Sequence, residues 1–416
     1  MNGNAKQPLV PKLRFPEFEA EDGWGSMFGN SIFDQISNKD HNSDLPVLAI
    51  TQEKGAIPRN MIDYHVSVTD KSLEGYKVVE VGDFIISLRS FQGGIEFSKY
   101  RGICSPAYVI LRLKHDHSED YFRHYLKTDR FIAQMTRNLE GLRDGKMISY
   151  KQLSELKLPV PSPEEQQKVA DCLSSLDELI TAETQMLDTL KTHKKGLMQQ
   201  LFPSEGETVP RLRFPEFREA RTWGVKLLGD TAKISSGGTP NRAEPDCWGG
   251  SIPWVTTSLI DFNRINDAEE FITTEGLNSS SAKLFPAGTL LMAMYGQGKT
   301  RGKVALLGIE ATTNQACAAI MLNSNVDANF AFQNLASRYE EIRKLSNEGG
   351  QENLSAGLIK EIPLAYPCLA EQQRIVDCLS SLDELIAAQN QKIETLKTHK
   401  KGLMQQLFPV LDEVSA

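Results

Sequence analysis

The chain has 416 residues, 40% of them hydrophobic and 24% charged, with a formal net charge of −8. That is the composition of an ordinary folded protein long enough for two or three domains. No apolar run approaches the ~20 residues a membrane span needs, and MNGNAKQPLVPKLRF lacks the apolar core of an export signal, so a cytoplasmic protein without membrane contact is expected.

Cys104, Cys172, Cys247, Cys317, Cys368 and Cys378 form no close pair, which argues against a zinc site and a disulfide framework. The charge divides as −1 for residues 1–164, −2 for 165–203, −3 for 204–370 and −2 for 371–416, so no part of the chain is basic overall. Any contact with nucleic acid has to come from locally placed Lys and Arg, or from partner subunits that grip the phosphates.

The first marker along the chain is VPKLRFPEF (Val10 to Phe18), followed by Trp24-Gly25; both recur 199 residues later as VPRLRFPEF (Val209 to Phe217) and Trp223-Gly224. Leu, Phe and Phe around a proline suit an extended segment that docks on the next element. Strand-like runs follow in the first half: Leu45 to Thr51, Tyr76 to Ser90 and Ser105 to Lys114, rich in β-branched and aromatic residues. Asp120 to Asn138 then carries Phe122, Leu126, Ile132 and Met135 at helical spacing.

The stretch Glu165 to Pro203 is the strongest signal in the chain. It returns as Glu371 to Pro409, displaced by 206 residues without a gap, and 30 of the 39 aligned positions are identical. Such a repeat means two copies doing one job. With Leu173 as heptad position a, the seam holds Leu173, Leu176, Ile180, Leu187 and Leu190 in the first copy and Leu379, Leu382, Ile386, Ile393 and Leu396 in the second. Apolar residues alternately three and four apart predict a coiled-coil helix, on the order of 55–60 Å long. These ten residues are the expected helix-partner surface. Ser162-Pro163-Glu164-Glu165 supplies a cap, a first-turn proline and a capping-box glutamate, whereas Cys368-Leu369-Ala370-Glu371 does not. Phe202-Pro203 and Phe408-Pro409 mark the ends. Polar Glu183, Lys194, Gln389 and Lys400 interrupt the seam, either to set register or to touch a partner.

Between the helices the same order of elements recurs with little identity: Ile252 to Ile260, Gly288 to Gly296 and Gln315 to Asn323 read as strands, and Asn329 to Leu345 as a helix. One α+β domain present twice, with a pseudo-two-fold internal repeat, is the economical account. The expected boundaries are 1–162 for the first mixed domain, 163–203 for the central helix, 204–367 for the second domain and 368–416 for the last helix and tail.

AMYGQGKT (Ala293 to Thr300) comes one residue short of a phosphate-binding loop, because Ala293 stands where the first glycine is required. The following RGKVALLGIEAT reads as a strand rather than the helix whose N-terminus would hold phosphate, which weakens a nucleotide hydrolase further. SLRSFQGGIEF (Ser87 to Phe97) occupies the equivalent place in the first half. Both end a strand in a Gly-rich turn with Arg, Lys and Gln, a combination suited to phosphates and base edges. The DNA-contact candidates from these loops are Arg89, Ser90, Gln92, Lys99 and Arg101, with Tyr295, Gln297, Lys299 and Arg301 in the second half.

Ser235 to Ser258 adds Thr239, Arg242 and Thr257, or is simply an ordered loop packed by Trp248 and Trp254. The loops before the long helices add Lys146 and Gln351, or only lead into the helices. His115-Asp116-His117 has no further ligand nearby and reads as a solvated turn. No catalytic triad, no N-P-P-[FY] and no Gly-rich adenosylmethionine loop is present, so neither a catalytic nor a metal-binding role is expected of this chain.

The LRFPEF openings, GGTP followed by WGGSIPWV, and EQQ-headed helices at the centre and the end resemble the DNA-specificity subunit of type I restriction-modification enzymes over essentially the whole chain. The first half lacks the GGTP and WGG motifs. The resemblance implies that residues 19–160 and 218–364 are target recognition domains, each reading half of a split double-stranded DNA sequence. The two helices would then pair antiparallel as a spacer. Two modification subunits, carrying adenosylmethionine, and restriction subunits, using ATP and Mg²⁺, would complete the assembly, with no cofactor in this chain. A coiled-coil scaffold without DNA readout is the alternative.

Overall fold

The computed structural model of the chain describes residues 9–42, 44–62, 73–87, 94–114, 116–137, 149–296, 299–345 and 353–410. It divides into two compact units, one made of Met1–Thr184 with Gln391–Ala416 and the other of Gln185–Asn390. Among the described residues no helix is long and apolar enough to cross a membrane.

In the first unit a four-stranded antiparallel sheet runs in the order Phe33–Ile36, Val109–Leu113, Phe84–Ile86, Glu96–Phe97. The strand expected over Tyr76 to Ser90 is broken. Gly82, at φ +93°, turns the chain so that Lys77–Val79 pairs with Gly102–Cys104 while Phe84–Ile86 enters the main sheet. A side chain at that φ would be strained. Buried Asp83 fixes the corner, accepting from Arg112 Nε at 2.7 Å and from the Glu80 backbone at 2.8 Å. The helix expected over 120–138 is likewise two, Glu119–Tyr125 and Asp129–Arg137, because Thr128 turns back to accept and donate locally; residue 138 lies outside the described residues. Phe33, Phe84, Phe122 and Tyr121 pack edge to face between sheet and helix.

The second unit repeats this scheme strand for strand. Its main sheet runs Ala232–Ser236, Cys317–Leu322, Leu290–Ala293, Val304–Leu307, with Arg264–Ile265 added at the edge. A second sheet, Glu270–Ile272, Trp248–Val255, Ala311–Thr313, Leu284–Phe285, is matched in the first unit by the pairs Gly55–Pro58 with Leu48–Thr51 and Gly102–Cys104 with Lys77–Val79, joined by a parallel bridge between Val47 and Ile103. A two-stranded ribbon closes each unit, Gly25–Phe28 with Lys157–Val160 and Gly224–Leu227 with Pro363–Tyr366.

The long helices are Pro163–Leu201 and Leu369–Leu407, 39 residues each. Ser162 Oγ caps the first by accepting from Glu165 N at 3.3 Å. The second starts on the Cys368 carbonyl, which takes Glu371 N and Gln372 N. Both end one residue before Phe-Pro. Within the first unit Asp177 meets Lys400 at 2.5 Å and Glu183 meets Lys392 at 2.6 Å, so numbers rise on one helix as they fall on the other and the pair is antiparallel. Within the second unit Lys194 meets Asp383 at 2.6 Å, the repeat equivalent of the Lys400 pair. Glu183, Lys194 and Lys400 are thus interhelical ion-pair partners, the register-setting role. Of the seam leucines, Leu173 and Leu379 are fully buried in the cores of their own units. Leu187 and Ile393 are also buried, and Leu176, Ile180, Leu190, Leu382, Ile386 and Leu396 are half-buried.

Candidate nucleic-acid interface

Each domain is fastened to its helices by the most repeated residues of the chain. In the first unit Arg14, from LRFPEF, sends Nε and Nη2 to the two oxygens of Glu165, each at 2.8 Å, and donates to the carbonyls of Glu21 and Asp22. In the second, Arg213 does the same to Glu371 at 2.7 Å and to the carbonyls of Ala220 and Arg221. Both carboxylates are 1% exposed, and burial of such a charge requires this two-pronged partner.

The next residue is a second clamp. Gln166 Oε1 accepts from Ser118 N at 3.0 Å and its Nε2 donates to Pro161 O, while Gln372 takes Asp327 N at 2.8 Å and donates to Pro367 O and Asn325 O. Ser118 and Asp327 cap the domain helices Glu119–Tyr125 and Ala328–Ser337. The EQQ head therefore aims the domain's helix relative to the coiled coil. LRFPEF docks on the helices on both sides: Leu13 N donates to Gln406 O and Leu212 N to Gln200 O.

With its scaffold held this way, the second unit gathers loops at one end of its sheets. The turn at Gly237-Gly238 lies against Thr313, so close that a Cβ on Gly237 would fall 2.0 Å from the Thr313 oxygen. Asn314 N reaches Val255 O, and Met294 N reaches Ala316 O. The loops 237–244, 256–263, 294–296 and 314–316 thus adjoin. Thr239 Oγ1 bonds Gln315, Thr256 Oγ1 and Ser258 Oγ are 2.5 Å apart, and Trp254 Nε1 donates to Gly238 O at 2.9 Å. Arg242 stacks on Trp248 and Trp254 and pairs with Glu270. Thr257 is half-buried, and Lys299 and Tyr295 are exposed. Arg301 faces inward: it is 9% exposed and its Nη2 donates to Arg343 O. The chain after Ala293 re-enters the sheet at Val304–Leu307, so among the described residues no helix follows the near-match to a phosphate loop.

In the first unit Lys99 is exposed and Arg101 pairs with Glu80 at 3.1 Å. Arg89, Ser90, Gln92, Lys146, Gln297 and Gln351 lie outside the described residues. His117 packs edge-on against Phe122, and burial lowers its pKa. Sequence reasoning missed Glu270 and Gln315, because nothing local marks them, and did not assign Arg14, Arg213, Gln166 and Gln372 a partner. Their signal was available: polar residues retained unchanged in both copies, the arginines within LRFPEF and the glutamines within the EQQ head.

The domain occurring twice, with an EQQ-headed helix after each copy, defines a class of paired recognition modules. The model of the type I restriction modification DNA specificity domain matches residues 29–192 and 220–398, and the chain belongs to that family. Among curated proteins it is similar to the MjaIX specificity subunit of Methanocaldococcus jannaschii, 28% identical over 46% of this chain and 46% of the relative. It is also similar to the EcoR124I/EcoR124II specificity subunit of Escherichia coli, 27% identical over 56% and 57%. The chain thus spans about half the length of these two relatives; for the MjaVIII specificity subunit of M. jannaschii, at 25% identity, 82% of this chain matches 81% of the relative. Two solved structures share the fold. A chain from work on complex assembly and conformational transition of the type I R-M system matches with a TM-score of 0.60 at 16% identity, covering 93% of this chain and 98% of that one. The type I restriction-modification S subunit from M. genitalium matches at 0.55 and 16%, covering 97% and 100%.

Proposed function

We propose that the chain is the sequence-specific DNA-recognition subunit of a type I restriction-modification complex, each domain reading one half of a bipartite asymmetric target on double-stranded DNA. The observation that carries this reading is a contrast within the chain. The clamps repeat, Arg14–Glu165 as Arg213–Glu371 and Gln166 as Gln372, whereas the sequences of the loops at the sheet ends share almost nothing, as expected of two readers mounted alike and aimed at different sequences. The paired helices set the spacing between half-sites and dock two modification subunits, which bring adenosylmethionine; restriction subunits add ATP and Mg²⁺. The chain itself is the non-catalytic member, works in the cytoplasm, and leaves part of the phosphate grip to its partners, which reconciles its net charge of −8 with DNA binding.

Exchange of residues 19–160 for the corresponding part of another family member tests this. Sequencing of methylated adenines should show one half of the target rewritten and the other unaltered. A change in both halves, or in neither, refutes the one-domain, one-half assignment, and a complex that methylates without sequence preference favours a scaffold.

A further inference from the structure

We propose that Arg242 and Glu270 of the second unit together read one guanine–cytosine base pair, the guanidinium binding guanine O6 and N7 and the carboxylate accepting from cytosine N4. The inference rests on the DNA-recognition reading above and assigns it a base pair.

The guanidinium is held before any ligand arrives. Its centre lies 3.8 Å from the Trp248 ring centroid and 4.7 Å from that of Trp254, and the two rings meet edge to face at 5.1 Å and 89°. Neither ring is free to turn, because Trp254 Nε1 donates to Gly238 O at 2.9 Å and Trp248 Nε1 to Asn241 O at 3.0 Å. Glu270 stands opposite Trp254 in the antiparallel pairing and takes both terminal nitrogens of Arg242, Nη2 at 3.1 Å. That grip uses the Nη1/Nη2 end. The other edge, Nε with the outer hydrogen of Nη2, has no acceptor among the described residues, and the two side chains remain 53% and 40% exposed.

Two parallel N–H groups in a fixed plane match the pair of acceptors that guanine presents in the major groove. Phosphate is the less suitable target, because Glu270 cancels the charge of Arg242 and repels an approaching phosphate. The same carboxylate suits the amino group of the paired cytosine, whose N4 hydrogen is a major-groove donor. Stacking removes the ordering penalty that a free arginine would meet on binding. The first unit lacks the GGTP and WGG stretches that build this stack, so the assignment concerns one half-site only.

The test uses the full chain in complex with its modification subunits and duplexes varied one base pair at a time across both half-sites. Exchange of residues 218–364 first identifies the half read by the second unit. R242K, which keeps the charge but not the fork, should lose about 10- to 100-fold in affinity for the cognate duplex and lose preference at one G·C position of that half. E270Q should relax the same position, and R242Q should leave the slope of log K against log salt unchanged. If R242K and E270Q discriminate every position as the wild type does, the pair is a surface tie and the proposal falls, while the recognition reading stands on the domain exchange. A loss uniform over all sequences, with the salt slope of R242Q reduced by about 1, makes Arg242 a phosphate contact instead. If the wild-type complex shows no sequence preference at all, both readings fall.

Discussion

The two units differ most instructively where the domain helix meets the coiled coil. In the second unit Gln333 Nε2 donates to Asp383 Oδ2 at 2.9 Å, and Asp383 also receives Lys194. In the first unit the equivalent aspartate, Asp177, receives Lys400, but the domain side chains facing it are Arg123, with Nη2 4.0 Å away, and His124, with Nδ1 3.8 Å away and Nε2 against Ser174 Oγ at 3.1 Å. Burial, helped by Lys400 and Arg123, pushes His124 down to about 3. An amide serves this junction at any pH, whereas a buried imidazole serves it only while neutral. One architecture therefore carries an acid-sensitive joint in one copy and an insensitive one in the other.

The largest expected effect tests what the units share. R14A or R213A leaves a buried carboxylate without its partner, and each should destabilise by ~3–5 kcal/mol. Urea midpoints should fall by similar amounts for the two variants; a large loss in one unit alone would break the equivalence of the clamps.

The next effect sharpens the difference. His124 ordinarily titrates near 6.5 and in the fold near 3, so the unfolded chain takes up the proton first as pH falls. The stability this group contributes is complete above about 6.5 and is lost progressively toward pH 3, by ~2–4 kcal/mol. H124Q, which copies Gln333, should remove that acid loss, and thermal melts between pH 4 and 7 would show whether it does.

Glu96 works in the opposite direction. Burial raises its pKa from 4.5 to about 7, against the pull of Lys127 at 2.5 Å. Its contribution is present below pH 4.5 and declines as pH rises to about 7, so E96Q should flatten that decline and leave the acid limb in place.

The smallest effect concerns the seam ion pairs. K400M and K194M remove equivalent contacts whose aspartates are about two-fifths exposed, and each should change stability by ~1 kcal/mol or less. Unequal values would mean that His124 and Gln333 support their aspartates differently.

Much of the scaffold was legible in the residues. Seam spacing and Phe-Pro ends placed both helices to within a few residues, since periodicity and proline geometry are local properties. The breaks at Gly82 and Leu126–Thr128 were not legible: Gly82 turns because Ser98 and Asp83 hold it, and the corner at Leu126 lies against Gly94. For the candidate interface, the Gly-rich turns and Arg242 could be picked out from composition. Which of those side chains face outward could not, as inward-turned Arg301 shows.

The sequence by itself determined that there are two copies of one module, and which residues both copies keep, because identity and heptad spacing need no partner to be seen. Only the tertiary structure decided that the retained glutamates answer arginines 151 and 158 residues away, that the glutamines behind them aim the domain helices, and that Arg242 meets Glu270. The physical reason is that a charge withdrawn from water needs a fixed counter-charge, and only the folded chain sets that partner in place.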